Sequence, residues 1–395
     1  MSRRNKIIIG VLVALLLIGI AVFLYFYFFR TPAAPAPTAG DFPTSEIVTT
    51  PPEVVPPTVL PAGGKGPRLV KLADGPVAGA VPGKSKGELV VRYPESATGN
   101  VYEVTVKTLE KKRLTITTIP RVTEAVWNRA GSAVIARYLK EDNETIESFA
   151  ASIRPGAGGT EGELIGSFLP KDIESVSVSP SGTNLAYLRR EGNRATLITA
   201  PFSGSPKTEV FRSPILEWTP IWFAENTVAL LSKPSALADG VLLFVNRTTG
   251  ATETVLQGIR GLTALPSPSG ERILVSESAD SAWNTRVMLK KTGAEIPISP
   301  STLPEKCVWE RDEKTLICGA PAAPASAGYP DAWYQGAVSF ADDLWEIDAA
   351  TGIAHFLLAP KDALDVTTPI LNADETHLIF INKRDGSLWA FRLEE

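Results

Sequence analysis

Residues 176–188 read VSVSPSGTNLAYL and residues 263–276 read TALPSPSGERILVS, so one turn, Ser-Pro-Ser-Gly, returns with strand-like residues on both sides. Its glycines, Gly182 and Gly270, stand 88 residues apart, which implies a repeat of about 44 with a weaker copy between them. Three to five residues past the glycine comes an apolar triplet of the kind a fully buried strand requires, Leu185-Ala186-Tyr187 and Ile273-Leu274-Val275. At the spacing expected between them, Asn226 leads to Ala229-Leu230-Leu231. Outward, the pattern adds Leu89-Val90-Val91, Val134-Ile135-Ala136, Leu316-Ile317-Cys318 and Leu378-Ile379-Phe380, making seven copies.

Several units continue with an aromatic strand, a Thr-Gly or similar turn and a fourth strand, as in DDLWEIDAATGIAHFLL from Asp342 and DGVLLFVNRTTGATETVLQ from Asp239. Four short strands per unit, with no long helical period after Phe29, predict an all-β fold, a seven-bladed β-propeller over residues 67–395. The last unit, Thr368 to Leu393, holds three strands, whereas Pro67 to Ala73 reads as an orphan strand before the first full unit near Pro76. Exposed sheet edges invite pairing, so this segment is expected to complete the seventh blade.

SPSGTNLAYL and SPSGERILVS resemble the Ser-Pro-Asp-Gly-Lys-x-Ile-Ala-Tyr repeat of TolB-like, WD40-like bacterial propellers, and NKRDGSLWAFRL resembles their Gly-x-x-Leu-Trp strand. The resemblance covers about residues 68 to 395 and implies the fold, with no particular function, since such repeats serve many tasks. Ser stands here where the family's turn has Asp, and a membrane anchor stands where the TolB translocation protein has its own N-terminal domain. Membrane-anchored bacterial propellers of unassigned role are the nearer resemblance.

Ahead of the repeats, Arg3, Arg4 and Lys6 precede an uninterrupted apolar run from Ile7 to Phe29. As a helix this run would extend about 35 Å, enough to cross a hydrocarbon core of about 30 Å. It is longer than the apolar core of a cleaved signal peptide, and Pro37 after Ala34-Pro35-Ala36 disfavours cleavage. Residues 1–30 are therefore expected to be a cytoplasmic tip and transmembrane anchor, with the basic cluster keeping the N-terminus cytoplasmic. From Thr31 to Pro67 the chain carries ten prolines and four charged residues, a composition that predicts an extended, disordered linker over residues 31–66. The expected location is the cell membrane, single-pass, with the propeller outside the cytoplasm.

Charge is nearly balanced, 39 basic against 43 acidic residues, and no basic block follows the N-terminus, which argues against nucleic acid as a partner. Two histidines and two cysteines are too few for most metal or nucleophile constellations, so no cofactor, metal site or catalytic residue is expected. Ala78 to Ser85, AGAVPGKS, satisfies a loose phosphate-loop pattern, but Lys86-Gly87-Glu88-Leu89-Val90-Val91 is a turn entering a strand rather than the helix an anion needs. Gly83 to Gly87 matches Gly-x-Ser-x-Gly without the helix of a nucleophile elbow.

Cys307 and Cys318 flank a four-residue turn, Arg311 to Lys314, that would place them opposite each other on paired strands, and a disulfide is expected in an oxidising exterior. The longest gap between repeats holds Ala320 to Ala341, an insertion between the second and third strands of the sixth blade. Its Tyr329, Trp333, Tyr334 and Phe340 are candidate contacts for a protein or saccharide partner, or else fold back and cap the blade. Arg154 to Glu163 reads as a glycine-rich hairpin tip, and Asp342-Asp343 reads as a turn whose carboxylates could serve a glycosidase only if another carboxylate faced them. The sequence thus favours a binding or scaffolding module for an envelope protein or cell-wall component. The alternatives are a glycosidase or lyase using the central channel, and a plain structural spacer.

Overall fold

In the computed structural model the described residues are 67–394 except 280–281 and 323–327. The apolar run Ile7 to Phe29 and the linker 31–66 lie outside them, and among the described residues no helix is long and apolar enough to cross a membrane.

Short runs of alternating or wholly apolar residues, broken by glycines with positive φ, give seven four-stranded antiparallel sheets. β1 (Leu69–Ala73) comes first and belongs to the last of them. β2 (Val81–Ser85), β3 (Glu88–Pro94), β4 (Val101–Thr105) and β5 (Lys111–Arg113) form blade 1. β6 (Val122–Trp127), β7 (Ala133–Leu139), β8 (Ile146–Arg154) and β9 (Glu163–Phe168) form blade 2. Blade 3 holds β10 (Ile173–Val178), β11 (Asn184–Glu191), β12 (Arg194–Pro201) and β13 (Thr208–Ser213). Blade 4 holds β14 (Trp218–Ala224), β15 (Thr227–Ser232), β16 (Asp239–Asn246) and β17 (Thr252–Arg260). In blade 5 are β18 (Thr263–Pro266), β19 (Arg272–Ala279), β20 (Ala282–Leu289) and β21 (Glu295–Ile298). In blade 6 are β22 (Cys307–Trp309), β23 (Thr315–Pro321), β24 (Asp342–Asp348) and β25 (Ala354–Leu358). β26 (Val366–Leu371), β27 (His377–Asn382) and β28 (Leu388–Arg392) make blade 7 with β1 outermost, and β26 packs on β2 to close a seven-bladed propeller.

The apolar triplets lie on the second strand of every blade and feed the cores on either side of it. Leu185 and Tyr187 face blade 2 while Ala186 faces blade 4, and Leu378 and Phe380 face blade 6 while Ile379 faces blade 1. Blade 4 departs from the sequence alignment by one residue. Its turn is only Glu225-Asn226, so Val228-Ala229-Leu230 occupies the place read as Ala229-Leu230-Leu231, and Val228 and Leu230 face blade 3. A slip of one exchanges the two faces of a strand, and because both faces are buried here Leu231 is buried like Ala229, the other neighbour of Leu230.

The recurring turn has two physical jobs. Ser179 Oγ accepts the Asn184 N–H at 3.1 Å, closing the hairpin, and Gly182 at φ 73° would put a Cβ 2.4 Å from the Arg129 nitrogen. Ser181 N–H then donates at 2.8 Å to Glu225 of blade 4, as Ser269 N–H does at 2.9 Å to Glu313 of blade 6 and Arg311 N–H at 2.8 Å to Glu375 of blade 7. Ser269 Oγ also donates to Glu313. Ser181 and Ser269, where the family repeat has Asp, set no second carboxylate against Glu225 and Glu313; the blade-6 turn keeps an Asp there, Asp312, which accepts the Lys314 and Thr315 N–H groups while the preceding residue, Arg311, donates to Glu375.

Lys86 and Gly87, at φ 50° and 83°, form the two-residue turn between β2 and β3, so the phosphate-loop look-alike is a hairpin. Arg154 to Glu163 is a hairpin tip holding one 3-10 turn, Ala157–Gly159, tied by Arg154 to Glu163 at 2.5 Å. Asp342 and Asp343 are the exception to the sequence reading. They open β24 rather than forming a turn, because buried Asp342 is held by cationic and backbone donors.

β1 seals the ring by pairing Leu69 with Phe391 and Lys71 with Trp389. Arg68 reinforces it by donating to the carbonyls of Leu357, Arg392 and Leu393. Leu72, 6% exposed, is the β1 side chain buried between blades 7 and 1. Leu72→Asp is expected to cost about 3 kcal/mol of unfolding free energy in urea and to promote self-association through the freed edge of β28. Cys307 stands directly across from Cys318 and is bonded to it. Replacing both with serine is expected to lower stability by about 3 kcal/mol by the same measurement, the entropy of one short closed loop.

Candidate functional site

Each first strand begins on one face of the ring, here the loop face, and ends on the other, the turn face, where the Ser-Pro-Ser-Gly turns sit. The long connections between second and third strands fall on the loop face. The described part of the sixth-blade insertion lies on this face, with Gly328 to Pro330 leading into a single helical turn, α1 (Asp331–Tyr334). Tyr329, Trp333 and Phe340 are 2%, 3% and 3% exposed and pack with Trp283 and Leu303 into an aromatic cluster. Of the four candidate contact residues only Tyr334, 40% exposed, presents its ring to solvent.

Trp333 explains the inward turn. Its indole N–H bonds both oxygens of Asp365, at 3.0 and 3.1 Å, and the Phe340 backbone N–H reaches Asp365 at 3.0 Å. Lys306 Nζ lies 2.5 Å from both Asp342 and Asp365, and all three side chains are completely buried. Val366 N–H donates to Asp342 at 2.7 Å, and Lys306 also donates to the Val366 carbonyl. The ammonium sits 5.3 Å and 5.0 Å from the Trp333 and Phe340 ring centres, so the insertion wraps the charges it is pinned by. Two carboxylates share one ammonium, and Asp342 Oδ1 has no hydrogen-bond partner. Burial therefore pushes the Asp342 carboxyl up to about 6 against the pull of Lys306, with the Asp365 charge adding to the rise.

A carboxylate does face Asp342, as a glycosidase would need, but it faces it across a lysine in a sealed interior. This group therefore holds structure in place. None of Lys306, Asp365 or the directing role of Trp333 was singled out in the sequence. A signal was present, because a charged residue stands directly ahead of the first strand in five blades: Arg121, Asp172, Glu217, Lys306 and Asp365.

Beside α1 the loop face opens into a cavity of about 550 Å³ whose wall includes Glu174, Glu217, Trp218, Glu305, Asp331 and Tyr334. The Tyr334 hydroxyl donates to Glu305, and Asp331 accepts the Ala236 N–H at 2.6 Å, drawing the β15–β16 loop to the insertion. Burial raises the Glu305 carboxyl above the ordinary glutamate range, and the Tyr334 bond only partly offsets it. Leu237, next in the chain to Ala236, is 93% exposed, and Ile215, which accepts the indole N–H of the wall residue Trp218 on its carbonyl, is 43% exposed. A second cavity, of about 740 Å³, opens on the turn face between Lys84, Arg129, Arg311 and Glu375. These charges are engaged with Asp374, the Pro180 carbonyl and one another. His355 and His377 sit on β25 and β27 and line neither cavity. Among the described residues no three His, Cys, Asp or Glu side chains are grouped to hold a metal ion.

No family model matches the sequence, and no curated protein does. Solved structures do match. Oligogalacturonate lyase from Vibrio parahaemolyticus is 11% identical, with 83% of this chain and 94% of that one covered and a TM-score of 0.57. The β-propeller domain of the Trilobed protease from Pyrococcus furiosus is also 11% identical, with 80% and 98% covered and a TM-score of 0.50. That domain is described as having an open velcro topology, whereas β1 closes the ring here. TolB from Acinetobacter baumannii, 9% identical over 80% of this chain and 79% of that one, has a TM-score of 0.42. This chain is similar to the first two in its propeller fold, and at such identities the likeness extends no further.

Because folded Asp342 holds its proton more tightly than the unfolded chain does, its contribution favours folding at about pH 4 and below and is lost as the pH rises through about 6. Asp342→Asn is expected to reduce the stability difference between about pH 5 and about pH 7 by about 1 kcal/mol, measured by urea unfolding at both values. An unchanged difference would show that Asp342 does not titrate there.

Proposed function

We propose that the propeller is a binding or scaffolding module for an envelope partner, held outside the cell membrane by the apolar run Ile7 to Phe29 and the proline-rich stretch after it. The observation that carries this reading is that Tyr334, in the wall of the loop-face cavity, is exposed together with Leu237, which follows the Ala236 held by Asp331 of that wall, and Ile215, whose carbonyl takes the indole N–H of the wall residue Trp218. Large apolar side chains offered together from loops on a rigid scaffold are the composition of a contact surface. The channel-enzyme alternative asks for carboxylates free to converge on a substrate. At this cavity Glu217 is paired with Lys233 at 3.0 Å and Glu174 with Arg190 at 3.4 Å, whereas Glu305 and Asp331 are met by the Tyr334 hydroxyl and the Ala236 N–H.

The reading is tested by placing a photo-crosslinking amino acid in the full chain, in cells, at Leu237 or Tyr334 on the loop face and at Ile353 on the turn face, which is 56% exposed. Discrete cross-linked products are expected from Leu237 and Tyr334 and not from Ile353. The same products at all three positions, or none at any, would remove the loop face as the contact surface.

A further inference from the structure

The charge of the loop-face cavity points to the chemistry of what enters it. Its wall carries four acidic side chains, Glu174, Glu217, Glu305 and Asp331, and one base, Lys233. Glu217 and Glu174 are neutralised by Lys233 and Arg190. Among the described residues Glu305 and Asp331 form no ion pair, and they accept hydrogen bonds from neutral donors, the Tyr334 hydroxyl and the Ala236 N–H. The neighbouring Lys306 is turned away, onto Asp342 and Asp365. Glu305 Oε2 is shut off from solvent and has no hydrogen-bond partner, an acceptor at the cavity wall that folding has desolvated and left unmade. A buried carboxyl oxygen in that state is satisfied by a donor, and a cationic donor also cancels the charge of the wall.

Building on the binding reading above, we propose that the cavity receives the lysine or arginine side chain of an extended segment of a partner protein. Glu305 and Asp331 hold the cation, the Tyr334 ring lies beside it, and apolar residues flanking it in the partner lie on Ile215 and Leu237. The apolar mouth is what selects a peptide over a small free amine, which has nothing to place on Leu237. Acidic saccharides and phosphorylated ligands are disfavoured by the same wall.

The test uses the full chain in detergent micelles and fluorescein-labelled, end-capped heptapeptides of the form Leu-Ala-Ala-Xaa-Ala-Ala-Leu, read by fluorescence anisotropy. With lysine or arginine at the centre, binding is expected to be about tenfold tighter than with norleucine, and weakest with glutamate. The double variant Glu305→Gln with Asp331→Asn is expected to lose that tenfold preference while keeping its norleucine affinity and its urea midpoint, the last showing that it folds. Equal affinity for the lysine and norleucine peptides, a preference that survives in the double variant, or no binding by any peptide would overturn the proposal. Equal lysine and norleucine affinities that both disappear in Leu237→Ser would leave the loop face standing as a contact surface while removing the cation from it.

Discussion

Every blade of this molecule depends on being packed from both sides, so the pairing of Leu69–Ala73 with Leu388–Arg392 is the contact on which the others rest. A blade is a sheet with two apolar faces. Its second strand sends alternate side chains into two different cores, as Leu316 and Cys318 do toward blade 5 and Ile317 toward blade 7. Such cores follow one another around the ring, and the one between blades 7 and 1 draws Leu72, Ile379 and Leu388 together with Val91 and Tyr93. Opening it would wet two sheet faces at once, far more than the loss of a single edge strand. The ladder of β1 on β28 and the three carbonyls taken by Arg68 hold that last joint.

The turns add a second, polar belt around the same ring. Glu225, Glu313 and Glu375 each reach back to the turn of the preceding blade and take backbone N–H groups that a tight turn leaves unpaired. The short sequence that announces the repeat is thus also the donor surface for the next blade. Apolar packing fixes the spacing of the blades, and these glutamates fix how one turn sits against its neighbour.

The fold could be read from the sequence because burial repeats. The triplet on the second strand is apolar for the same reason in every blade, and a periodic cause leaves a periodic trace. Where the trace was misread, at Val228-Ala229-Leu230, a turn of two residues had shortened the hairpin without changing how apolar the strand was. The loop face left no such trace. Lys306 meets Asp342 36 residues on and Asp365 59 residues on, and only the ring brings them together. The aromatic residues of the insertion were visible as a group, but a segment of alanine, proline and glycine carries no period to say which of them point inward. Trp333 is drawn in by the Asp365 carboxylate, and Tyr334, its neighbour on one helical turn, is left outside. A buried carboxylate on a different blade decides which ring stays exposed.

The position of β1 also fixes how the ring meets mechanical load. It is an outermost strand, and it follows directly on the proline-rich stretch, so tension applied through that stretch arrives first at Arg68 and then at Leu69, opposite Phe391. Antiparallel hydrogen bonds run across the strands, so a pull that lifts β1 away from β28 breaks them one after another rather than all together. A load entering at the N-terminal end of β1 therefore meets first the guanidinium of Arg68, 4.9 Å from the centre of the Phe391 ring.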